Sequence, residues 1–494
     1  MNARLQLARQ TLLGAALAAL AACAVGPDFH RPAAPAGTYA SPVSVSAATA
    51  ADAPSLRYGA PLAADWYRLL GCRALDQWVK LALRNNPDLQ SARASVSEAR
   101  ARLRAAAGGA YPNLQGRAFV NRAHFNPGAL GLGTQGSAGG NLFAGLLQLS
   151  YHIDLFGRLD RDLEARRAAV QYARDQALNT YVGLVNQVVT SAIDLAAAQS
   201  SIDATEKLLD AERRRLRLSR LQETVGTIAR GETLTAKAQW QGTQATLPGL
   251  RQRRAAAAAA LAALLGETPS QLQAPALRLA DFTIPATLPV SLPAQLVQQR
   301  PDVLAAEQRL HETSAEIGVA AAARLPSISL SADYGSLSDR GADFFNAGNA
   351  LWALGGNIAA PLFDGGKLAA QQDQAEAAYR RASAEYRSTV LEAFSQVATA
   401  LRALANDGAA LQAHEAALQT ARQALDLSSR LLSVGTADAQ AVLAARQEYR
   451  RELLSRVDVE ARRFTDLAML VHALGGGWWN APRDPLAPEG KPHD

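Results

Sequence analysis

The side chains most often used in catalysis and metal binding are few in this chain, and they are scattered. The 494 residues include seven histidines and two cysteines. A zinc or nucleophilic site needs such residues at ligand spacing, or as a set of nucleophile, base and acid. We find neither pattern. The histidines are His30, His124, His152, His311, His414, His472 and His493. The sequence therefore predicts a protein that is not an enzyme and that holds no metal and no cofactor.

Two other ligand signals are weak. Gly131, Gly133 and Gly136 have the spacing of a phosphate loop, but they lie between two predicted strands with no helix behind them. The 50 basic and 44 acidic residues give a net charge of +6. These charges alternate along predicted helices, and no aromatic-plus-basic cluster accompanies them. The composition therefore argues against nucleic-acid binding.

The N-terminus carries a processing signal that ends at a cysteine. Arg4 and Arg9 precede an apolar run, 12–22, which ends in small residues directly before Cys23. A basic region, a short apolar region and small residues make an export signal. The junction resembles the lipobox of bacterial lipoproteins, which implies that Cys23 is lipidated and becomes the first mature residue. The alternative is a plain signal peptide with an incidental cysteine.

The residues around this junction set the cysteine chemistry of the mature chain. Ala24 and Val25 follow Cys23, so the aspartate that retains a lipoprotein at the inner membrane is missing. Cys72 is the second cysteine, and with Cys23 lipidated no intrachain disulfide is available. We interpret Cys72 as a small buried hydrophobe.

One stretch, 146–160, changes its periodicity from two to that of a helix. Its first half alternates apolar residues with polar ones, which predicts a strand over 142–156 with one face of each kind. The apolar set is Leu147, Leu149, Tyr151, Ile153 and Leu155, and the polar set is Gln148, Ser150, His152 and Asp154. From Arg158 to Val225 the chain has no proline and one glycine, Gly183. That length predicts a helix of roughly 100 Å.

The same plan occurs twice along the chain. Four short motifs recur in one order, which indicates a tandem duplication. The matched pairs are Asn86-Pro87-Asp88 with Arg300-Pro301-Asp302, Tyr111-Pro112 with Leu325-Pro326, Leu155-Phe156 with Leu362-Phe363, and Val225-Gly226-Thr227 with Val434-Gly435-Thr436.

Each repeat is predicted to contain helices, two strands, a long helix and a returning helix. In the first repeat we expect helices over 74–84 and 87–107, a strand over 113–124, and a helix over 232–265 with a kink at Pro248. In the second we expect strands over 327–334 and 351–363 and a last helix over 438–474. Apolar residues step by 4-3-4-3-4 from Leu178 to Ala196 and by 4-3-4-3 from Val390 to Leu404. This period of 3.5 predicts laterally packed, supercoiled helices.

Four amphipathic strands do not close into a barrel by themselves. Open sheet edges are an aggregation hazard in water and are not tolerated in hydrocarbon. Several copies together close the sheet, with apolar residues toward lipid and polar residues toward a lumen. The charged long helices must then project into an aqueous space. The predicted fold is mainly α, with a membrane β-barrel section formed by several copies and a helical tube that continues it.

With these motifs in place, the chain resembles the TolC-like outer-membrane efflux factors, in particular the lipoprotein branch of resistance-nodulation-division systems. The resemblance extends over nearly the whole mature chain. It is carried by Cys23-Ala24-Val25-Gly26-Pro27-Asp28-Phe29 with Arg31-Pro32, Asn86-Pro87-Asp88-Leu89, Asp154-Leu155-Phe156-Gly157-Arg158, Arg300-Pro301-Asp302-Val303, Pro361-Leu362-Phe363-Asp364-Gly365-Gly366 and the two Val-Gly-Thr turns. It implies a homotrimer with a twelve-stranded barrel, a periplasmic helical tunnel, and a periplasmic adaptor and inner-membrane pump as partners.

The resemblance also implies boundaries and a location. We expect a signal peptide at 1–22, a lipidated extended segment at 23–73, outer-membrane efflux repeats at 74–282 and 283–474, and a Pro/Gly-rich tail at 475–494. The protein would lie in the outer membrane, anchored by the lipid on Cys23. Its function would be that of an exit duct that passively conducts drugs or other small molecules.

The resemblance places an aperture and an adaptor contact at the tips of the long helices. In the family, acids just past the Val-Gly-Thr turns narrow the tunnel. Glu232 stands at such a position, with Arg230 beside it, whereas the matching positions of the second repeat are Ala441 and Ala444. Asp438 lies three residues earlier. Glu232 has a second interpretation as an acid that stabilises the first turn of its helix. The adaptor would meet the turns Val225-Gly226-Thr227 and Val434-Gly435-Thr436.

Two other functions fit parts of the same pattern. One is a conduit for type I protein secretion, which differs from drug efflux in its partner and cargo. The other is a periplasmic coiled-coil lipoprotein without a pore, against which the four amphipathic strands argue.

Overall fold

The computed structural model describes residues 25–33, 55–125, 138–272, 275–290, 293–434, 436 and 439–487. Six strands occur in this part of the chain: β1 Ser55–Tyr58, β2 Asn113–Phe125, β3 Ala138–Ile153, β4 Thr287–Val290, β5 Ser327–Ser338 and β6 Ala350–Ala359. Nine α-helices occur in it: α1 Arg73–Asn85, α2 Pro87–Ala107, α3 Arg158–Thr224, α4 Arg230–Gln244, α5 Leu247–Leu264, α6 Pro293–Gln299, α7 Pro301–Ala322, α8 Lys367–Ser433 and α9 Ala439–Ala473. The described residues form two compact units, and each unit contains residues from both halves of the chain.

The first unit consists of residues 25–32, 96–173 and 306–386. Its centre is a four-stranded antiparallel sheet in the order β2-β3-β5-β6. The sequence predicted all four strands. Among the described residues, β2 and β6 each pair on one side only, so this part of the chain leaves the sheet with two open edges.

Two strands end earlier than predicted, because polar and proline residues take over at their ends. We expected β3 to reach residue 156, but it ends at Ile153, and the Asp154 carboxylate accepts the backbone N–H groups of Leu159 and Asp160 at 2.8 and 3.1 Å. We expected β6 to reach residue 363, but it ends at Ala359 shortly before Pro361, which has no N–H to donate.

Asp364 has the same role as Asp154 at the start of the second long helix. Its carboxylate accepts the N–H groups of Gly366 and Leu368 at 2.9 and 2.8 Å. These backbone donors, that of Leu368 first, hold the pKa of Asp364 below its usual value. A carboxylate at a helix start satisfies donors that have no partner within the helix. The two strand-to-helix junctions of the repeats therefore share an acidic cap.

The two longest helices, α3 and α8, contain 67 residues each. At 1.5 Å per residue, that is about 100 Å, as the sequence predicted for α3. The predicted seam of α3 is buried at every position from Leu178 to Ala196, and Val390, Val397 and Leu404 are buried on α8.

Within the described residues, α3 also contains one 18-residue window apolar enough to cross a membrane by length and composition. Half of that window is buried, as in a core helix, so it is weak evidence for a span.

The prediction of a single kinked helix over 232–265 was wrong. The chain forms two helices there, α4 and α5, and Pro248 lies in the first turn of α5. A proline in a helix interior removes a hydrogen bond and clashes with the preceding turn, whereas in the first turn its missing N–H has no partner to lose. The chain therefore begins a new helix at this proline.

The second unit consists of the remaining described residues. It contains a two-stranded parallel sheet in which β1 pairs with β4, with Ser55 opposite Thr287. From its five prolines, the sequence predicts a linker over 267–293, and β4 within that stretch corrects this prediction. Leu288 and Val290 are buried, which stabilises so short a strand. Cys72 is a free, buried cysteine, and burial raises the pKa of its thiol.

Candidate functional site

The Val-Gly-Thr turn at the end of α3 is built by hydrogen bonds to the last helical carbonyls. The backbone N–H of Gly226 donates to the carbonyl of Glu223 at 3.0 Å, and that of Thr227 donates to the carbonyl of Gln222 at 2.9 Å. This pair of bonds requires a left-handed residue after the helix, and Gly226 has a φ of 76°. The Thr227 hydroxyl also donates to the Gln222 carbonyl, at 3.0 Å.

The second Val-Gly-Thr turn repeats the bonds that the structure describes there. The Thr436 backbone N–H donates to the carbonyl of Leu431 at 2.9 Å, and its hydroxyl donates to the same oxygen at 3.2 Å. Gly435 and Asp438 lie outside the described residues. Val225 and Val434, which precede the two glycines, are 64% and 70% exposed. Each turn therefore presents a valine side chain on a hydrogen-bonded frame.

The predicted aperture residues lie in the first turn of α4. Arg230 is the first residue of that helix and is exposed, and Glu232 follows at the third position, half-buried. The charge of Glu232 acts on Arg215 of α3, whose pKa is lowered by burial and raised in part by that carboxylate. Among the described residues, no ion pair joins Glu232 to Arg230. At the matching positions of the second repeat, Ala441 and Ala444 are exposed.

The sheet of the first unit separates apolar and polar side chains in register. Partner residues on neighbouring strands share a face, so one row across all four strands contains Leu114, Leu149, Ala332 and Leu354. The adjacent row contains Gln115, Gln148, Asp333 and Ala353. His152 lies opposite Ser329, which in turn lies opposite Asn357, on the polar face. One face thus suits hydrocarbon and the other suits water.

The described N-terminal segment is held against the start of α3. The Arg161 side chain donates to the carbonyls of Val25 and Gly26 at 3.3 and 3.4 Å and to the Asp28 carboxylate at 2.8 Å. This guanidinium holds the pKa of Asp28 below its usual value. The Val25 N–H donates to the carbonyl of Phe156 at 3.2 Å. Cys23 lies outside the described residues, as does the glycine-rich loop 126–137.

Further contacts fix this segment farther along. The rings of Phe29 and His311 stack at 4.3 Å, and the imidazole of His311 lies 2.8 Å from Glu164. Arg31 forms an ion pair with the buried Glu307 at 2.8 Å. The sequence singled out this stretch as a motif, but it did not indicate these partners on α3 and α7, because they are distant in sequence.

The paired motifs before α2 and α7 tie each repeat to its own last helix. In the first repeat, the amide of Asn86 donates to the carbonyl of Leu264, the last residue of α5, at 3.1 Å. In the second, the guanidinium of Arg300 donates to the carbonyl of Ala473, the last residue of α9, at 2.9 Å. Arg300 also donates to Asp302 and Gln396. The two motifs therefore serve as equivalent side-chain caps of helix C-termini.

A metal site among the described residues would need several ligating side chains close together. No group of three or more His, Cys, Asp or Glu side chains in it is placed to hold a metal ion. The features that stand out are instead a sheet with one lipid-compatible face and two exposed helical turns. Together they define the class of outer-membrane channel proteins with a helical extension.

The comparisons identify the family within that class. The family model "Outer membrane efflux protein" matches residues 78–267 and 292–476, and the chain belongs to this family. It is therefore an outer-membrane efflux channel, a transport duct and not an enzyme.

Relatives and solved structures agree with this membership. The chain is 31% identical over 333 residues to fusaric acid resistance protein FusA of Burkholderia cepacia, covering 64% of this chain and 61% of that relative, which is less than two thirds of its length. It is 30% identical over 363 residues to the solvent efflux pump outer membrane protein SrpC of Pseudomonas putida, covering 73% of this chain and 75% of the relative. The solved outer-membrane channel OprN superposes with a TM-score of 0.84 at 27% identity, over 92% of this chain and 100% of that chain.

Proposed function

We propose that this protein is the homotrimeric exit duct of a tripartite resistance-nodulation-division efflux pump. A periplasmic adaptor would meet its two Val-Gly-Thr turns, and an inner-membrane pump would supply the cargo. The observation that carries the proposal is the sheet, which has one apolar face in register across four strands and two open edges. Three copies give twelve strands, an even number that closes into a barrel.

The cargo would be small molecules that pass through a wide aqueous lumen. Names of relatives point to this class, since they include a fusaric acid resistance protein, a toluene efflux protein and a cation efflux protein. Deleting the gene should lower the minimal inhibitory concentration of some such compounds, and a plasmid copy should restore it. If the deletion strain instead loses only the export of a protein, the chain serves type I secretion.

We also propose that Cys23 carries the lipid anchor and that the channel needs no other covalent group or cofactor. The contact between Val25 and Phe156 supports this, because Val25 lies two residues after Cys23 and two residues span at most about 7 Å. A lipid there would start close to the junction of β3 and α3. Cys23→Ser should abolish the lipid, which mass spectrometry detects. A mature N-terminus at a different residue would contradict the assignment.

The tip of the tube would be the gate, with Glu232 at its aperture and Arg230 and Asp438 nearby. If Glu232 faces the lumen, Glu232→Ala should lower the cation preference of the purified channel in planar bilayers. Glu206→Ala is the control, since Glu206 is an exposed acid of α3 outside this turn. Unchanged ion selectivity in Glu232→Ala would leave that residue as a helix-start carboxylate.

A further inference from the structure

A charged cavity lies between three helices of the second unit, and neither the fold nor the channel function explains it. Its volume is about 460 Å³. It lies between α3, which contributes Glu212, α4, which contributes Gln239 and Thr243, and α9, which contributes Arg446 and Arg450.

Two charged groups of this cavity, Glu212 and Arg446, are buried without a described ion pair. Glu212 is 5% exposed and Arg446 is 9% exposed. The Arg446 guanidinium donates to the amide oxygen of Gln239, a neutral partner. Within the described residues, no ion pair within 4.0 Å joins Glu212 to Arg446 or Arg450. Burying charges in this way is unfavourable unless hydrogen bonds or counter-charges compensate.

One oxygen of the Glu212 carboxylate also lacks a hydrogen-bond donor. Its Oε1 accepts from the Thr243 hydroxyl at 3.1 Å, whereas its buried Oε2 has no partner among the described atoms. A buried polar atom in this state calls for a ligand or an ordered water. The site thus offers cationic donors on α9 and an unsatisfied acceptor on α3.

Electrostatics in the cavity favours added negative charge. Burial and the neighbouring Arg215 lower the pKa of Arg446 to about 10, and burial raises the pKa of Glu212. Arg446, Arg450 and Arg215 outnumber the single carboxylate of Glu212. A compatible ligand therefore presents anionic oxygens to the arginines and one O–H group to Glu212.

We propose that this cavity binds a hydrogen phosphate group, as inorganic phosphate or as the singly protonated form of a phosphate monoester. Its charged oxygens accept hydrogen bonds from Arg446 and Arg450, and its P–OH group donates to Glu212 Oε2. Guanidinium groups match phosphate oxygens in geometry and charge. Sulfate and phosphate diesters carry no such proton at neutral pH, so Glu212 repels them. The bound group links α3 to α9.

The test uses the purified full-length protein in detergent and isothermal titration calorimetry. Inorganic phosphate should bind saturably. Glycerol phosphate should compete with it better at about pH 6 than at about pH 8, because a monoester loses its P–OH proton with a pKa of about 6. Sulfate and dimethyl phosphate should bind at least tenfold more weakly, because each lacks a hydrogen bond to a charged group. No saturable phosphate binding, or equal binding of phosphate and sulfate, would overturn the proposal.

Two variants and a control assign the residues. Arg446→Gln should weaken phosphate binding about tenfold or more. Glu212→Gln should reduce the difference in affinity between phosphate and sulfate, because an amide N–H can donate a hydrogen bond to sulfate. Arg451→Gln, on the exposed side of the same helix, should bind phosphate like the unaltered protein. If Arg451→Gln weakens phosphate binding as much as Arg446→Gln does, the binding is nonspecific. The phosphate and sulfate comparison in the unaltered protein decides the question even if a variant fails to fold.

Discussion

At the scale of single residues, the Val-Gly-Thr turn assigns a separate task to each of its positions. Gly226 takes the left-handed conformation, Thr227 donates twice to one carbonyl, and Val225 is exposed. The repetition of the threonine bonds at Thr436 explains why the chain keeps the same three residue types at both turns. The family motif is therefore a helix terminator that also presents an apolar side chain.

Substitution of Gly226 tests this account of the turn. Gly226→Ala should destabilise the end of α3 by about 1–2 kcal/mol, because a Cβ disfavours a left-handed backbone. Its surroundings are open, so the effect is backbone strain and not a clash. Gly231→Ala is the matched control, since Gly231 lies inside α4 with equally open surroundings and without a positive φ. Hydrogen exchange of the last turn of α3 should accelerate in the first variant and not in the second. Equal exchange in both would show that the glycine conformation is dispensable.

At the scale of the element, the register of the strands aligns their alternating residues, so that the sheet has one apolar face and one polar face. Leu149 lies in a row of apolar residues across all four strands, and His152 lies in a row of polar ones. Leu149→Arg should therefore cost about 2–4 kcal/mol if this row lies near the bilayer midplane. His152→Arg should be tolerated much better, because its face is polar. Urea titration of the protein folded into liposomes compares the two, and equal losses would mean that the faces are assigned wrongly.

The helix-end caps of Asn86 and Arg300 give a second test at this scale. Arg300 is buried and donates to Ala473, Asp302 and Gln396. Arg300→Ala should therefore destabilise the protein by about 3–5 kcal/mol, since it removes the hydrogen bonds of a buried guanidinium and leaves the Asp302 carboxylate with the Val303 N–H but without its counter-charge. Asn86→Ala should cost less, about 1–3 kcal/mol, because the lost hydrogen bonds are those of a neutral amide. Arg300→Lys should restore little of the lost stability, because a lysine ammonium does not reproduce the planar array of N–H donors of the guanidinium. Chemical denaturation measures all three, and full rescue by lysine would contradict the geometric argument.

Sequence patterns predicted those elements whose signals are local. Alternation indicated β2, β3, β5 and β6, and the lack of proline between Arg158 and Val225 indicated α3. The prediction at Pro248 was wrong because a proline is compatible both with a kink inside a helix and with the first turn of a new helix. The sequence at the proline does not distinguish the two. The pairing of β1 with β4 escaped notice, since each strand has four residues and its partner lies far away in the chain.

The site was predictable to a smaller extent than the fold. Repetition pointed to both Val-Gly-Thr turns, and resemblance pointed to Glu232. The cavity formed by Glu212, Gln239 and Arg446 carries no sequence signal, because its residues lie on α3, α4 and α9 and are brought together only by packing. The proximity of Glu232 to Arg215 had no signal for the same reason.

At the scale of the whole molecule, the two edge strands of the described sheet each lack a partner strand on their outer side. In the part of the chain that the structure describes, β2 pairs only with β3 and β6 pairs only with β5. Unpaired backbone groups are not tolerated in hydrocarbon, so each edge needs a partner strand. The polar face of β2 includes Gln115 and that of β6 includes Ala353. Because barrel strands are tilted and staggered, the β2 residue that meets Ala353 in a neighbouring protomer is shifted along the strand from Gln115. In a closed trimer, β6 of one protomer would pair with β2 of the next.

Cross-linking measures this pairing directly. A set of chains, each with one cysteine on the polar face of β2 (positions 113–121) and one on that of β6 (positions 351–359), should include a pair that forms covalent dimers and trimers with a short bismaleimide, because paired strands lie about 4.8 Å apart. The control carries Gln148→Cys and Asp333→Cys, which face each other inside one sheet, and it should give only internally linked monomers. Cys72 is buried in all of these chains and should not react. Light scattering of the detergent-solubilised protein should give three times the mass of the mature chain. If every pair in the set yields only monomers while the control reacts, the edges are closed in some other way and the twelve-stranded barrel is excluded.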